Sequence, residues 1–209
     1  MTEKEVRLIL LNKLHFTQDS LYKLDAFCRE VIQYNQKFNL ISKTTEDTIW
    51  DRHVLDSAQL VKFIKFDDGL SLSDLGTGAG FPGIVIAIFN RNTKFHVKLY
   101  DKSRVKIRFL KELCQKLNIN ADIYENDYRS HEINSNYVVS RAFKKLEEHI
   151  NISREIVKVN HKLIILKGKN AEDEIKKLSK KLDYRYILEK SITSPDSKIV
   201  IIEIKKYHE

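Results

Sequence analysis

The sequence predicts an α/β fold: a seven-stranded, mostly parallel sheet with one antiparallel strand, residues 70–209, preceded by an N-terminal helical extension, residues 1–69, packed on it. Three observations predict this. Up to Gly69 the apolar residues recur at helical spacing only. Beyond it, short apolar runs alternate with helix-period segments, the pattern of strands joined by helical crossovers that cover both faces of a sheet. The last two apolar runs have only residues 191–197 between them, which suits a hairpin and hence one antiparallel strand near the sheet edge.

In order along the chain, Leu8, Leu11 and Leu14 mark a first helix. Thr17 caps a second, whose apolar face is Leu21, Leu24, Phe27, Cys28 and Val31. A third begins near Thr45, with Trp50, Val54, Ala58, Val61 and Ile64 sharing one side. Strands are expected over 70–75, 95–100, 121–124, 137–140, 163–166, 185–188 and 199–204. Helices fall between them over 84–89, 103–117, 145–159 and 171–182.

The chain has 209 residues, 42% of them apolar, enough for a real core without covalent staples. Cys28 and Cys114 lie far apart, so the sequence holds neither a disulfide framework nor a paired-Cys metal spacing. The seven His show no i,i+4 pairing and no Cys partner, so no metal site is expected. Met1-Thr2-Glu3-Lys4-Glu5 mixes charges where a secretion signal carries an apolar block. The longest apolar stretch, 84–89, is far short of the ~18 residues of a membrane span. A soluble, cytoplasmic monomer is the expectation.

The net charge of +8 is uneven. Residues 1–70 hold 10 Lys/Arg and 11 Asp/Glu, and residues 71–209 hold 27 and 18. Within 91–111 there are eight bases and one acid, Asp101. Such a field draws in polyanions; it also describes a solvated helix face in a Lys-rich chain, so charge alone leaves both readings open.

Four of the six glycines sit in one loop, Asp74-Leu75-Gly76-Thr77-Gly78-Ala79-Gly80-Phe81-Pro82-Gly83, after the first strand and before a helix. Missing Cβ atoms let backbone take φ > 0 and approach a ligand closely, which makes Gly76, Gly78 and Gly80 candidate cofactor contacts. Pro82 suits the first turn of the helix that follows. The string satisfies both the dinucleotide pattern and the Asp-x-Gly-x-Gly-x-Gly register of adenosylmethionine loops. Asp101 ends the second strand, where a carboxylate accepts the ribose hydroxyls of an adenosine. Asp127, after the third strand, is placed for the adenine amine, with Tyr128 beside the ring. Arg141 and Lys167, at and just past two strand ends, are candidates for holding a target nucleotide or its phosphate.

Further motifs are Tyr34-Asn35, Phe38-Asn39-Leu40, Arg52-His53-Val54-Leu55-Asp56-Ser57, Arg108-Phe109-Leu110, Val139-Ser140-Arg141-Ala142-Phe143 and Leu166-Lys167-Gly168. Together with the glycine loop and Asp101 they resemble the bacterial 16S ribosomal RNA guanine-N7 methyltransferases, the RsmG or glucose-inhibited division protein B family. The resemblance covers nearly the whole chain. It implies a class I methyltransferase (Rossmann-like) fold and S-adenosyl-L-methionine as cofactor, touching Gly76, Phe81, Asp127, Tyr128 and Arg141, with Asp101 at the ribose. The substrate it implies is 16S rRNA or the small ribosomal subunit, at the guanosine called 527. Lys102, Arg104, Lys106 and Arg108 are then expected to track RNA phosphates. One departure is Val105-Lys106, where the family commonly has Lys-Arg.

The chemistry is compatible. Guanine N7 carries a lone pair and no proton, so its methylation needs alignment and exclusion of water but no general base. No catalytic base is therefore assigned; Arg141, Lys167 and His53 are positioning candidates. His53 is read first as a helix-packing residue, the family motif suggesting instead that it helps close the cofactor cavity from the N-terminal side, and Arg52 and Asp56 as an i,i+4 ion pair. Adenine amino methylation usually shows an (Asp/Asn)-Pro-Pro-aromatic turn where this chain has Ser140-Arg141-Ala142-Phe143. Cytosine C5 methylation needs a thiolate, and Cys114 falls on an apolar helix face. Two other classes stay open on sequence: an NAD-dependent oxidoreductase, separated by cofactor binding, and a non-catalytic RNA-binding assembly factor, whose RNA binding would survive Gly76→Asp.

Overall fold

The apolar runs beyond residue 70 become strands of one sheet: β1 (Ser71–Leu75), β2 (His96–Asp101), β3 (Asp122–Glu125), β4 (Tyr137–Arg141), β5 (His161–Lys167), β6 (Tyr186–Lys190) and β7 (Lys198–Ile204). Their order is β3-β2-β1-β4-β5-β7-β6. This computed structural model describes residues 1–141, 145–179 and 185–206. Ala142 and Phe143 of the quoted motif, and residues 180–182 of the helix expected to end at 182, lie outside the described residues.

β1 to β5 pair in parallel, whereas β7 is antiparallel to both β5 and β6. The expected hairpin exists, and its antiparallel strand lies near the edge as expected, one place in from it. Burial explains the order. β7 buries Ile199, Val200, Ile201, Ile202 and Ile204, whereas Tyr186 and Ile187 of β6 are exposed, so the more apolar strand takes the inner position.

Alternate residues along the strands feed two cores. Val139, Ile164, Leu166, Ile199 and Ile201 join one face, covered by the N-terminal segment and by the helices after β1 and β2. Val138, Leu163, Ile165, Val200 and Ile202 join the other, covered by the helices after β4 and β5.

The N-terminal segment begins with α1 (Glu3–Asn12), capped by a reciprocal Thr2–Glu5 box, and α2 (Gln18–Asn35), capped by Thr17. The face expected for α2 is buried in full. That of α1 is not: Val6 and Leu10 are buried while Leu8 is half exposed. Leu8, Ile9, Leu10 and Leu11 put apolar groups all round the helix, so spacing alone does not choose a face. The expected third helix is not regular. It runs through a π-helical turn (Trp50–Leu55), a single α turn α3 (Asp56–Ala58) and a 3-10 turn (Gln59–Phe63), although Trp50, Val54, Ala58, Val61 and Ile64 are all buried.

After β1 comes α4 (Gly83–Phe89), and after β2 α5 (Arg104–Leu117), with Asn118 in the left-handed region at its C-cap. α6 (Leu146–Ile156) is shorter than expected, and α7 (Ala171–Ser179) follows β5. α2 packs on α4 and α5, and Phe27 of α2 meets Phe81 of the glycine loop at 4.8 Å between ring centroids. Among the described residues no helix is long and apolar enough to cross a membrane, and no cluster of His, Cys, Asp or Glu is arranged to hold a metal ion.

Candidate cofactor loop and substrate cleft

The turn from β1 into α4 is held from both sides. Gly76 and Thr77 donate their N–H groups to Tyr100 O at 2.9 and 3.0 Å, which ties the loop to the end of β2. Gly76, Gly78 and Gly80 have φ of 73°, 63° and 101°, a region that side-chain-bearing residues seldom adopt. Gly83 is required for a different reason. A Cβ there would lie 2.2 Å from Leu99 Cδ2 and 2.8 Å from Asp74 Oδ2. Its N–H donates to Asp74 Oδ2 at 2.8 Å. At Gly78, by contrast, a Cβ would come no closer than 4.0 Å to any atom, so this stretch of backbone is bare. Pro82, expected in the first turn of α4, is its N-cap residue instead, after a cis Phe81–Pro82 bond. Burial pushes the Asp74 carboxyl up to about 7, against the Thr77 hydroxyl and the Gly83 N–H, which favour the charged form.

Asp101 closes β2 with both oxygens engaged: Oδ2 accepts the Gly78 N–H at 2.9 Å and Oδ1 the Ser103 N–H at 2.8 Å. A carboxylate has about four acceptor sites, so two bonds leave room for two hydroxyls. Asp127 lies beyond β3 and caps a short 3-10 turn, Tyr128–Ser130, through the Arg129 N–H. Asp127 is exposed, and Tyr128 is buried. Sheet order therefore sets the expected residues in a row along the C-terminal edge: Asp127 and Tyr128 after β3, Asp101 on β2, the glycine loop after β1, Arg141 on β4 and Lys167 on β5. At about 4.8 Å per strand, β3 and β4 are about 14 Å apart.

Next to the loop a cleft of about 240 Å³ opens at the ends of β4 and β5. It gathers the three positioning candidates His53, Arg141 and Lys167, and adds Thr45, Arg52 and Asp56 from the N-terminal segment. Thr193 and Ser197 of the β6–β7 connection complete the wall. Arg141 joins cleft to loop. Its guanidinium sits 5.7 Å from the Phe81 ring centroid, and its Nη1 donates to Arg52 O at 3.2 Å. Burial lowers the Arg141 pKa, opposed by Asp56 and Asp74.

His53 is buried against Phe81, with ring centroids 5.0 Å apart and its Nε2 2.9 Å from Thr45 Oγ1. Burial, then Arg141 and Arg52, push its pKa down to about 3, so the imidazole is neutral at physiological pH. His53 thus packs on Phe81 of the glycine loop and lines the cleft. The expected Arg52–Asp56 pair does not form. Asp56 Oδ1 accepts instead from Thr193 Oγ1 at 2.9 Å and Gln59 Nε2 at 3.0 Å, because the irregular turn points Asp56 toward the β6–β7 connection. Burial raises the Asp56 pKa, against Thr193, Arg141 and Arg52. Lys167 is buried and bridged to Glu174 of α7 at 3.0 Å.

The basic helix separates its own charges. Arg104, Arg108 and Lys111 line one exposed groove with Glu112 and Glu125, and Arg104 Nε lies 3.4 Å from Glu125 Oε1. Lys106 sits on another side, its Nζ 4.0 Å from where a Gly78 Cβ would be. Lys102 and Val105 are exposed. Cys114 is buried on α5 and its thiol is pushed up to about 12 by burial, as core packing requires.

Residues 20–201 match the family model described as rRNA small subunit methyltransferase G. A Pelagibacter ubique protein named ribosomal RNA small subunit methyltransferase G is 33% identical over 202 residues, covering 94% of this chain and 93% of that relative. Its Mycoplasma capricolum namesake is 39% identical over 180 residues, covering 83% of this chain and 76% of that relative. A solved SAM-dependent methyltransferase from Aquifex aeolicus superposes with a TM-score of 0.60 at 17% identity, over 78% of this chain and 95% of that one, a likeness of fold.

Proposed function

The chain belongs to the rRNA small subunit methyltransferase G family, and from that premise we propose how its residues carry out the reaction. It is an S-adenosylmethionine-dependent enzyme that methylates 16S ribosomal RNA on a class I methyltransferase fold. The acceptor we assign is N7 of a guanine, by resemblance the guanosine called 527. On this reading the enzyme works as a monomer in the cytoplasm, where ribosomal subunits are made.

The observation that carries the assignment is the fixed carboxylate of Asp101 beside the open backbone at Gly78, in a loop that Gly76, Gly78 and Gly80 turn through positive φ. That pairing fits an adenosine lying across the strand ends, its ribose hydroxyls on Asp101 and its ring toward Asp127 and Tyr128. Phe81 and Arg141 then flank the amino-acid end. S-adenosylmethionine held by these residues would supply the methyl group for N7, its sulfur keeping the C–S bonding pair as the leaving group.

Because N7 bears no proton, no residue has to remove one. The chain's work is to hold the base in line and keep water out, effects that reach ~7–11 kcal/mol in well-oriented systems. The cleft beside Arg141 is the place for the base, and exposed Lys102, Arg104 and Arg108, with Lys106 nearer the loop, attract the RNA backbone. Incubating small subunits from cells lacking this activity with the protein and methyl-labelled cofactor tests the reading. Chemical cleavage at 7-methylguanosine should reveal one new site in 16S RNA. Label on another atom, or none, overturns it.

A further inference from the structure

We propose that Asp56 is the residue that selects guanine, reading the edge of the base opposite N7. The inference rests on the N7 reading above and extends it to a motif, Arg52-His53-Val54-Leu55-Asp56-Ser57, that the transfer step itself does not use.

The cleft wall holds the cations Arg52, Arg141 and Lys167, which suit a nucleotide phosphate, and among the described residues one acidic side chain, Asp56. A carboxylate repels phosphate and accepts hydrogen bonds, so at this point of the wall Asp56 suits a ligand's N–H group rather than its phosphate. Its two bonds, from Thr193 and Gln59, both end on Oδ1. Oδ2 has no protein donor among the described residues. The carboxylate is also held rigidly: Gln59 Nε2 donates to Ser191 Oγ at 2.9 Å, and Gln59 Oε1 accepts the Ile192 N–H at 3.0 Å. A fixed acceptor in a cleft calls for a fixed donor on the ligand.

Guanine has that donor where the reaction requires it. Its N1–H and 2-amino group point the same way, on the side of the ring away from N7. A base seated with N7 toward the glycine loop and Arg141 thus presents N1–H and N2–H to the far wall, where Oδ2 accepts them. Adenine offers a lone pair and a C–H at the same edge and leaves Oδ2 of the half-buried carboxylate without a donor, the arrangement by which polar sites reject the wrong ligand. Thr193, which holds Oδ1, is a positioning residue.

Small subunits reconstituted with guanosine or inosine at the methylated position test this, since inosine lacks only the 2-amino group. The wild type should favour guanosine by about 10-fold in kcat/KM. Asp56→Asn should lower kcat/KM on guanosine by about 10- to 100-fold and bring the two substrates level, while calorimetry shows unchanged S-adenosylhomocysteine binding. Thr193→Val should raise KM and weaken the preference in part. Equal wild-type rates on both substrates overturn the assignment whatever the variants do. So does an Asp56→Asn enzyme with the wild-type rate, or one that is slower yet keeps the wild-type preference. No transfer to the guanosine particle at all overturns the N7 reading itself and Asp56's role with it.

Discussion

Gly83→Ala tests the bend between β1 and α4 with a single methyl group. Gly83 begins α4 without a positive φ, so the backbone accepts alanine and the cost is steric alone. The new carbon would stand 2.2 Å from Leu99 Cδ2 and 2.8 Å from Asp74 Oδ2, against an ordinary carbon contact of about 3.5–4.0 Å. Leu99 is 0% exposed within the core, so it has little room to withdraw. Overpacking of this kind costs about 1–3 kcal/mol. Moving α4 away instead stretches the 2.8 Å bond from the Gly83 N–H to Asp74, worth about 1 kcal/mol. Either route costs about 1–3 kcal/mol, which at about 2–4 °C per kcal/mol for a chain of this size lowers Tm by about 2–12 °C. Thermal and urea unfolding measure it. Gly168→Ala is the comparison, because a methyl there meets nothing within 4 Å and should leave stability within about 0.5 kcal/mol. If Gly83→Ala is as stable as Gly168→Ala, the packing argument for this glycine is wrong.

Asp101→Asn replaces one acceptor oxygen with a donor that must face either the Gly78 or the Ser103 N–H, and S-adenosylhomocysteine affinity should fall about 10- to 100-fold by calorimetry. Unchanged affinity would remove Asp101 from the cofactor site. Acid should act on two buried groups with opposite sign. His53 is held near 3 when folded but takes a proton near its ordinary 6.5 when unfolded, so its contribution declines as pH falls from 6.5 toward 3, by up to about 1.4 kcal/mol per pH unit. Asp74 is raised to about 7 from 3.8, so the cost of burying its charge is relieved as pH falls from 7 toward 3.8. In urea titrations from pH 7.5 to 5, the wild type should lose ground to His53→Asn and gain on Asp74→Asn. pH-independent differences would show that neither group titrates as its burial demands.

What the sequence revealed depended on whether a signal was local. The strands of β4, β5 and β7 are apolar on both faces and bounded by polar residues, so they declare themselves. The glycine loop does so as well, because its unusual φ angles force an unusual composition. Leu8 misled for the reason given above. Nothing in Trp50–Leu55, which lacks Gly and Pro, announces a π turn rather than an α turn. The cleft was the least legible part. Arg141, Lys167 and His53 could be named from strand ends and motif resemblance, yet Thr193 and Ser197 look like ordinary residues of a solvated connection. Only the folded hairpin carries Thr193 to Asp56 and Ser197 to the cleft wall, and pairwise spacing along the chain holds no trace of that approach.

β7 fills an interior position of the sheet, with β5 on one side and β6 on the other. During translation β5 leaves the ribosome well before β7, and its outer row of amide and carbonyl groups waits unmatched in the meantime. β6 emerges earlier than β7 but has its ladder only with β7, so it has no place to dock. The β5–β7–β6 part of the sheet therefore cannot be complete before β7 is available. A nonsense mutation just ahead of Lys198 would do more than shorten the protein: it would leave a naked inner strand, the kind of edge on which nascent chains aggregate.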